Sequence, residues 1–329
     1  MVSTPLIRIN NLSVSYERKH KVVNAIRNLS FAINKNEIVA VVGESGSGKS
    51  TLSKSLLKAI FPPGSINSGE LLYYKGNTAV SVFNLTKEDL RKYRWKEVSM
   101  VFQSSMNSLN PVMKIGKQIS NVMIDHGYTE EAAEKNVDVY LKMAELDSKV
   151  REFYPHELSG GMKQRVAIAM ALCCEPKLLI ADEPTTALDV VIQSQIMDKF
   201  KELSVKLGLS ILFVTHDISI ISGFADRLAV MYAGEIMEVG PVNEIMMSPK
   251  HPYTIALLGS LPILGKKKRL ESIPGSPPDL SSDIDGCPFA PRCKKAFDKC
   301  RNSDPCLIPL ENEHMVACHL FTEVSRSND

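Results

Sequence analysis

The sequence has 329 residues, of which 44% are hydrophobic and 23% are charged, and its formal net charge is +2. This composition is typical of a globular protein and excludes a disordered, collagen-like or disulfide-stapled chain. The first residues lack a basic segment followed by an apolar one, and no apolar stretch reaches about 18 residues, so we expect neither a secretory leader nor a transmembrane helix. Because the net charge is close to zero, we expect no nucleic-acid partner.

The N-terminal residues predict two kinds of β-strand. Short runs in which apolar and polar residues alternate predict antiparallel strands at residues 7–9, 14–16, 22–26 and 29–33. Glu37–Val42 is instead a continuous and largely β-branched run, which is typical of a strand buried on both faces. We expect a helix to follow it, with one side formed by Leu52, Leu56 and Ile60.

The rest of the N-terminal 240 residues alternates between strands and helices. One apolar strand precedes Gln103, and further buried strands are predicted at residues 178–181, 211–215 and 228–232. An amphipathic helix lies between the strands at 178–181 and 211–215, with a stripe formed by Ile192, Ile196, Phe200, Leu203 and Leu207. This alternation predicts an α/β core with a largely parallel sheet.

The middle and the end of the chain differ from this core. Residues from about 105 to 175 predict helices, including one that follows Thr129 and carries acidic residues in its first turn. After Gly240 the sequence becomes a series of short segments separated by prolines. We therefore predict one domain at residues 1–240 with an inserted helical lobe, and a C-terminal Cys-rich extension at residues 241–329.

A glycine-rich loop connects the strand that ends at Val42 to the next helix. Residues 43–50 read GESGSGKS and match the phosphate-binding pattern GxxxxGK[ST]. Gly46 and Gly48 allow the backbone to point its N–H groups at phosphate oxygens. We expect Lys49 to bridge the β- and γ-phosphates and the Ser50 hydroxyl to ligate Mg²⁺. This P-loop comprises Gly43, Glu44, Ser45, Gly46, Ser47, Gly48, Lys49, Ser50 and Thr51.

Two adjacent carboxylates end the predicted strand at residues 178–181. The segment reads LLIADEP and ends with Asp182, Glu183 and Pro184. Because side chains alternate along a strand, Asp182 and Glu183 leave it in different directions and can have different roles. We predict that Asp182 joins the Mg²⁺ ligands and that Glu183 orients the water that attacks the γ-phosphate.

A second anion-binding motif lies in the helical lobe. Leu158–Arg165 reads LSGGMKQR, and Ser159, Gly160 and Gly161 at a helix start present backbone N–H groups and the positive end of the helix dipole. One nucleotide has no use for two such sites in a single chain. We therefore predict a dimer in which each chain presents this helix to the nucleotide that the other chain binds.

The order of these motifs resembles that of ATP-binding-cassette ATPases. The resemblance rests on GESGSGKST, Gln103, LSGGMKQR, LLIADEP, ALD at 187–189 and His216 after ILFVT, and it implies an ABC-type P-loop NTPase fold with an N-terminal antiparallel β subdomain. Binding of Mg-ATP would close the dimer, and hydrolysis would open it. The resemblance also implies specific roles: Tyr16 stacks on adenine, Gln103 senses Mg²⁺ and the γ-phosphate, His216 contacts the γ-phosphate, and Asp189 reaches across the dimer.

Three further segments resemble the ATP-binding subunits of oligopeptide and dipeptide importers: QSSMNSLNPVMKIGKQI, HPYTIALLGSLP and CPFAPRCKKAFDKC. This resemblance implies an ATPase at the cytoplasmic face of the cell membrane. Its partners would be a second, related ABC ATPase subunit, two integral membrane permeases and an extracytoplasmic solute-binding protein. A permease would dock at residues 103–111. The sequence leaves the solute open among dipeptides, oligopeptides, oligosaccharides and metal chelates.

Five of the seven cysteines lie in the extension, spaced C-x5-C, C-x6-C, C-x5-C and C-x11-C. None of these spacings is the C-x2-C typical of zinc ribbons, and a cysteine cluster in a cytosolic chain favours a metal over disulfides. The residues leave open an iron–sulfur cluster, zinc, or unliganded thiols or a disulfide. The importer resemblance implies a 4Fe-4S cluster bound by Cys287, Cys293, Cys300 and Cys318, with Cys306 as an extra candidate.

Two other functions fit the same motifs. One is a soluble ABC ATPase that acts without a permease, and the other is a module that binds ATP without hydrolysing it. The presence of Glu183 argues against the second, because a carboxylate can orient the attacking water. Co-purification with integral membrane proteins would distinguish an importer subunit from the first.

Overall fold

The computed structural model describes residues 5–18, 21–103, 108–186, 189–260 and 273–322. These residues divide into two compact units, which are described separately. The first unit contains Ile33–Ile38, Tyr73–Val214 and residues 5–6, and the second contains Ile7–Ala32, Val39–Leu72 and residues 215–322. Within the described ranges, no helix has both the length and the apolar character needed to cross a membrane.

Three parallel strands form the centre of the first unit: β6 (Val98–Val101), β7 (Leu178–Asp182) and β8 (Ser210–Thr215). Their order is β8-β7-β6, and every residue in them is buried. Asp182 at the end of β7 lies opposite Val214 of β8. The sequence predicted these strands correctly because continuous apolar runs are typical of strands covered on both faces.

Helices account for most of the rest of the first unit. They are α2 (Lys87–Lys96), α3 (Ile115–Asp125), α4 (Glu130–Met143), α5 (Gly160–Leu172) and α6 (Val190–Leu207), and a short strand, β5 (Thr78–Ser81), precedes them. Helices α3, α4 and α5 fall within the predicted helical lobe, whose bounds of 105–175 stay a prediction, and residues 105–107 lie outside the described ranges. Thr129 caps α4 by accepting a hydrogen bond from the Ala132 N–H at 3.2 Å.

The predicted apolar stripe of α6 is confirmed at its three central members, whereas Ile192 at its start is only half-buried. Ile196, Phe200 and Leu203 are buried, whereas the side chain of Leu207 is 49% exposed. Leu207 is the final residue of the helix, and Gly208 follows it with a left-handed backbone at φ 61°. The apolar periodicity predicted which face of α6 is buried, but it did not predict that the glycine cap would end the helix at Leu207.

Two long strands replace the four short ones predicted at the N-terminus. β1 (Pro5–Arg18) and β2 (Lys21–Asn34) lie side by side, and β4 (Gly64–Lys75) follows β1 in the sheet order. The Asn11 N–H donates to Ser30 Oγ and the Asn28 N–H donates to Ser13 Oγ, a pairing that runs antiparallel. Asn11 and Asn28 have φ values of 49° and 44°, so each interrupts the apolar alternation without ending its strand.

A second sheet of the second unit positions the P-loop. β3 (Ile38–Val42) is parallel to β9 (Arg227–Tyr232), which is antiparallel to β10 (Glu235–Pro241). Helix α1 (Lys49–Leu56) follows the P-loop. Leu52 and Leu56 are buried as predicted, but Ile60 lies beyond the end of the helix because α1 stops at Leu56.

The C-terminal extension completes the second unit. It contains α7 (Val242–Met247), α8 (Pro252–Gly259), α9 (Asp298–Asn302), β11 (Ile308–Pro309) and β12 (Met315–Val316). β12 pairs antiparallel with β10, with Glu238 opposite Val316, and β11 pairs with β12. The extension therefore adds strands to the sheet that contains β3. The domain boundary at residue 240 stays a prediction.

Candidate functional site

The P-loop turns tightly against the backbone of its own unit. Gly46 and Gly48 have φ values of 81° and 100°, a region that glycine adopts without steric cost. A Cβ at Gly48 would lie 2.4 Å from the carbonyl oxygen of Ala25, and a Cβ at Gly43 would lie 2.1 Å from that of Met231. Gly43 and Gly48 are therefore required by close backbone contacts as well as by the turn.

The ammonium group of Lys49 lies inside this loop. Its Nζ donates hydrogen bonds to the carbonyl oxygens of Gly43 at 2.7 Å and Glu44 at 2.9 Å, and to Ser47 Oγ at 3.4 Å. Lys49 is 6% exposed. Ser45 and Gly46 at the loop tip are exposed, and Ser50 and Thr51 are half-buried in the first turn of α1. The loop thus surrounds one positive charge with backbone groups, an arrangement suited to an anionic ligand.

In the first unit, Glu183 follows β7 and is held by two side chains. Gln103 Nε2 donates to Glu183 Oε2 at 2.9 Å, and Thr186 Oγ1 donates to the same oxygen at 3.1 Å. The Glu183 N–H donates to the carbonyl oxygen of Val214 at 2.8 Å, and its φ is 48°. A left-handed backbone at a residue other than glycine is strained and is typical of functional positions. Asp182, one residue earlier, is 1% exposed.

The start of α5 lies next to the start of α6 within the same unit. Ser159 is the N-cap of α5 and accepts a hydrogen bond from the Met162 N–H at 3.3 Å. A Cβ at Gly161 would lie 3.4 Å from Ile192 Cγ2. Asp189 caps α6 by accepting a hydrogen bond from the Ile192 N–H at 2.9 Å, a structural role that the sequence did not predict. Ser159, Gly160 and Asp189 are exposed.

The two remaining predicted residues, Tyr16 and His216, lie in the second unit. Tyr16 is half-buried, and its ring packs on the backbone of Gly64, where a Cβ would lie 2.6 Å from Tyr16 Cε1. His216 is exposed and directly follows β8. Thr215 Oγ1 accepts a hydrogen bond from the Asp217 N–H at 3.0 Å, which turns the chain immediately after the strand.

Sequence reasoning missed a set of contacts between the extension and the P-loop. Arg292 forms an ion pair with Glu44, and the Tyr253 hydroxyl accepts a hydrogen bond from the Glu44 N–H at 3.0 Å. The hydrogen bonds to Glu44 are the main reason that the pKa of Arg292 is raised. Tyr253 belongs to the HPYT segment, whose family resemblance implies no contact with the P-loop. Because Tyr253 lies 209 residues from Glu44, no local sequence pattern indicates their contact.

Four of the predicted cysteines line one small cavity in the second unit, namely Cys287, Cys293, Cys300 and Cys318. Cys306 is exposed and lines a different cavity. Burial raises the pKa of Cys287 to about 12 and also raises the pKa values of Cys293 and Cys318. Among the described residues, no group of three or more His, Cys, Asp or Glu side chains is arranged to hold a metal ion.

Backbone N–H groups point at three of these thiols. The Lys295 N–H donates to Cys293 Sγ at 3.4 Å. The backbone N–H groups of Phe289 and Leu320 act in the same direction on Cys287 and Cys318, because each lowers the pKa of the thiol against the larger effect of burial. In each case the donor lies two residues after the cysteine, and such bonds favour the thiolate form. His319 Nδ1, which is also buried, has no hydrogen-bond partner, and His319 lines the same cavity.

Two family models match the chain. Residues 26–186 match the model described as ABC transporter. Residues 237–300 match the model of the oligopeptide/dipeptide transporter C-terminal region. The first range contains the P-loop, Gln103, Asp182 and Glu183, and the second contains Tyr253 and Arg292.

Curated relatives are similar over nearly the whole length. The chain is 45% identical over 325 residues to the oligopeptide transport ATP-binding protein OppD of Bacillus subtilis, covering 97% of this chain and 89% of that protein. It is 45% identical over 326 residues to the dipeptide transport ATP-binding protein DppD of Lactococcus lactis subsp. cremoris, covering 98% and 92%.

Solved structures share the fold. The ATP-binding cassette MJ0796, solved as a dimer in a post-hydrolysis state bound to ADP and Pi, superposes with a TM-score of 0.63 at 30% identity. The match covers 72% of this chain and 98% of that chain. CbiO1 from Clostridium perfringens, part of the transporter complex CbiONQ, superposes with a TM-score of 0.63 at 29% identity, covering 74% and 92%.

Proposed function

This chain belongs to the ABC transporter family and is the ATP-hydrolysing subunit of a peptide importer, and on that premise we propose which residues carry out hydrolysis and which partners it works with. The single observation that carries the mechanism is the geometry of the Glu183 carboxylate. Gln103 and Thr186 hold one of its oxygens, and its backbone is left-handed. A carboxylate fixed in this way can orient a water molecule, which is most of what phosphoryl transfer requires of a protein.

In the proposed reaction, Glu183 accepts a hydrogen bond from the attacking water and takes up its proton as the new bond to phosphorus forms. The bond between the γ-phosphorus and the bridging oxygen breaks, and the products are ADP and phosphate. His216 contacts the γ-phosphate. Gln103 senses the γ-phosphate. Because Gln103 Nε2 also donates to Glu183 Oε2 at 2.9 Å, the position of the Glu183 carboxylate depends on whether the γ-phosphate is bound.

The P-loop binds the phosphates in this proposal. Its backbone N–H groups and the Lys49 ammonium face the phosphate oxygens, and Tyr16 packs on the adenine. Ser50, Gln103 and Asp182 present hydroxyl, amide and carboxylate oxygens, which are the donors that Mg²⁺ prefers. When held by these residues, Mg²⁺ would supply positive charge that offsets the charge of the phosphates.

We also propose that hydrolysis takes place in a dimer with a second ABC ATPase subunit. Ser159 and Gly160 at the N-terminus of α5, and Asp189 at that of α6, are exposed, so they are accessible to a nucleotide bound by another chain. The MJ0796 cassette, similar in fold, is a dimer. A heterodimer with a sister subunit fits the importer role.

The remaining partners follow from the importer role. We propose two integral membrane permeases, an extracytoplasmic solute-binding protein and a place at the cytoplasmic face of the membrane. The permease would dock at residues 103–111, of which 104–107 lie outside the described ranges. The net charge of +2 gives no reason to add a nucleic acid to these partners.

Uptake by cells that lack the protein tests this proposal. We expect uptake of labelled dipeptides or longer peptides to fall to background, and uptake of oligosaccharides and nickel chelates to be retained. The unmodified protein should restore peptide uptake, and it should co-purify with integral membrane proteins after detergent extraction. Peptide uptake that is unchanged without the protein would contradict the proposal, and absence of membrane partners would favour a soluble ABC ATPase.

For the extension, we propose that Cys287, Cys293, Cys300 and Cys318 bind a 4Fe-4S cluster. Cys293 accepts a backbone N–H bond, backbone N–H groups also favour the thiolates of Cys287 and Cys318, and all four cysteines line one cavity. Hydrogen bonds to the sulfurs are a common feature of iron–sulfur sites. A cluster binds each thiolate through a different iron atom, whereas a zinc ion needs four donors around one point. By linking four cysteines, the cluster would stabilise the fold of the extension.

Anaerobic purification tests the cluster with a matched pair of variants. We expect the full chain to be brown and to carry about four iron atoms and as many acid-labile sulfides. Cys300→Ser should lose most of this iron because Cys300 is buried in the cavity, whereas Cys306→Ser should keep it because Cys306 is exposed elsewhere. Zinc in place of iron, or equal iron loss in both variants, would contradict the proposal.

A further inference from the structure

The strongest observation outside the nucleotide motifs is that the extension holds Glu44 of the P-loop by both its side chain and its backbone. Arg292 Nη1 donates to Glu44 Oε2 at 2.8 Å and Arg292 Nη2 donates to Glu44 Oε1 at 3.1 Å. This bidentate pairing combines charge with a fixed orientation. The Tyr253 hydroxyl accepts a hydrogen bond from the Glu44 N–H at 3.0 Å.

Arg292 is itself held in place. Its Nε donates to the Pro274 carbonyl oxygen at 2.8 Å, its Nη2 to that of Ile273 at 3.4 Å, and its Nη1 to the Tyr232 hydroxyl at 3.1 Å. The Arg292 side chain is 6% exposed. All three guanidinium nitrogens therefore have partners, and little conformational freedom remains to be lost when the ion pair forms.

The aromatic rings around Glu44 form a packed cluster. The Tyr253 ring centroid lies 4.6 Å from that of Tyr232 and 5.3 Å from that of Phe289, and Tyr232 and Phe289 are 5.5 Å apart. Tyr253 and Tyr232 are almost fully buried. The acceptor for the Glu44 N–H is thus on a rigid ring, because rotation of Tyr253 would require the cluster to repack.

Both contacts act on the backbone that surrounds Lys49. The carbonyl oxygen of Glu44 accepts a hydrogen bond from Lys49 Nζ at 2.9 Å, so the residue fixed by the extension also positions the ammonium group. The Glu44 carboxylate carries a negative charge within a loop that binds phosphates, and an uncompensated charge there would repel ATP. The guanidinium group of Arg292 cancels that charge.

We propose that Arg292 and Tyr253 are positioning residues for ATP binding: they fix the P-loop at Glu44, and Arg292 neutralises its carboxylate. The proposal rests on the assignment of the P-loop as the phosphate site. In this role the C-terminal extension is part of the nucleotide-binding machinery rather than a separate attachment, and both residues act through Glu44 rather than through a contact with the nucleotide.

A double-mutant cycle of Arg292 and Glu44 in the full-length chain tests this proposal. Arg292→Gln should raise the KM for ATP and the Kd for Mg-ATP by about tenfold because Glu44 is left uncompensated, with kcat at saturating ATP little changed because Glu183 is untouched. Adding Glu44→Gln to that variant should restore most of the lost affinity, since the repelling charge is gone. Arg292→Lys should have an intermediate affinity for ATP, because lysine keeps the positive charge but cannot form the bidentate pair with the Glu44 carboxylate.

The control is Arg301→Gln, which removes an exposed arginine from the same extension and should leave KM at the unmodified value. An unchanged KM in Arg292→Gln would overturn the proposal, and so would a folded double variant no better than Arg292→Gln, because the proposed loss of affinity comes from the uncompensated Glu44 carboxylate. If Arg292→Gln does not fold, Tyr253→Phe decides: it removes one hydroxyl, and it should weaken ATP binding severalfold, whereas an unchanged Kd would refute the role.

Lys49→Ala measured alongside separates this inference from the assignment on which it rests. Lys49→Ala with normal affinity for Mg-ATP would refute the P-loop as the phosphate site. Weak binding in Lys49→Ala together with normal binding in Arg292→Gln would refute only the role of the extension.

Discussion

Replacing Glu183 by Gln is expected to lower kcat for ATP hydrolysis by at least about a hundredfold, the usual contribution of a positioned general base. Gln103 Nε2 and Thr186 Oγ1 both donate to Glu183 Oε2. The amide oxygen of Gln can accept the same two hydrogen bonds, so the variant keeps the local structure and loses only the charge and the proton acceptor. Phosphate release by the full-length chain at saturating Mg-ATP measures the effect.

The same variant should bind ATP and accumulate in the closed dimer, because hydrolysis is the step that opens it. Size-exclusion chromatography with Mg-ATP, alone and with the sister subunit, reports this state. Glu131→Gln is the matched control: Glu131 is exposed in the first turn of α4, and its loss should change neither kcat nor pairing. Turnover that persists in Glu183→Gln would remove Glu183 from the role of general base.

The sequence predicted the phosphate loop well because its geometry is local. Gly46 and Gly48 adopt positive φ values, and the strand before the loop and the helix after it are signalled by neighbouring residues, although the contacts of Arg292 and Tyr253 with Glu44 come from far along the chain. The same holds for Ser159, which caps α5 three residues before its hydrogen-bond donor. The backbone geometry of such motifs depends mainly on neighbouring residues, so it can be predicted from the sequence.

Contacts between distant parts of the chain could not be predicted in the same way. Arg292 lies 248 residues from Glu44, and Gln103 lies 80 residues from Glu183. Family resemblance gave Gln103 a role, but nothing in the pattern around Arg292 indicated a partner in the P-loop. Cysteine spacing likewise left Cys306 as a candidate ligand, and only the fold placed it away from the cavity that the other four share.

Periodicity failed where a local backbone feature overrode it. Asn11 and Asn28, with positive φ values, broke the apolar alternation of β1 and β2, and the sequence therefore suggested four strands where there are two. Ile60 and Leu207 fitted helical stripes, but one lies beyond α1 and the other is the last residue of α6. A stripe predicts which face is buried, and the residues that end the element decide how far it extends.

Lys49→Ala should weaken the binding of Mg-ATP by about a hundredfold or more, since it removes a buried charge that would pair with two phosphates. The loop also loses internal support. Lys49 Nζ donates to Gly43, Glu44 and Ser47, so its removal leaves acceptors on the inner side of the loop unpaired. The contacts of Arg292 and Tyr253 with Glu44 remain on the other side, and they cannot supply the missing positive charge.

Isothermal titration calorimetry with Mg-ATP measures the loss. Lys54→Ala is the control, because Lys54 lies in the same helix and is exposed, and its affinity should match that of the unmodified chain. Lys49→Arg separates charge from fit: a guanidinium group keeps the charge but is too large for a position that is 6% exposed, so binding should stay weak. Near-normal affinity in Lys49→Arg would mean that charge alone matters, and near-normal affinity in Lys49→Ala would mean that the nucleotide does not depend on this loop.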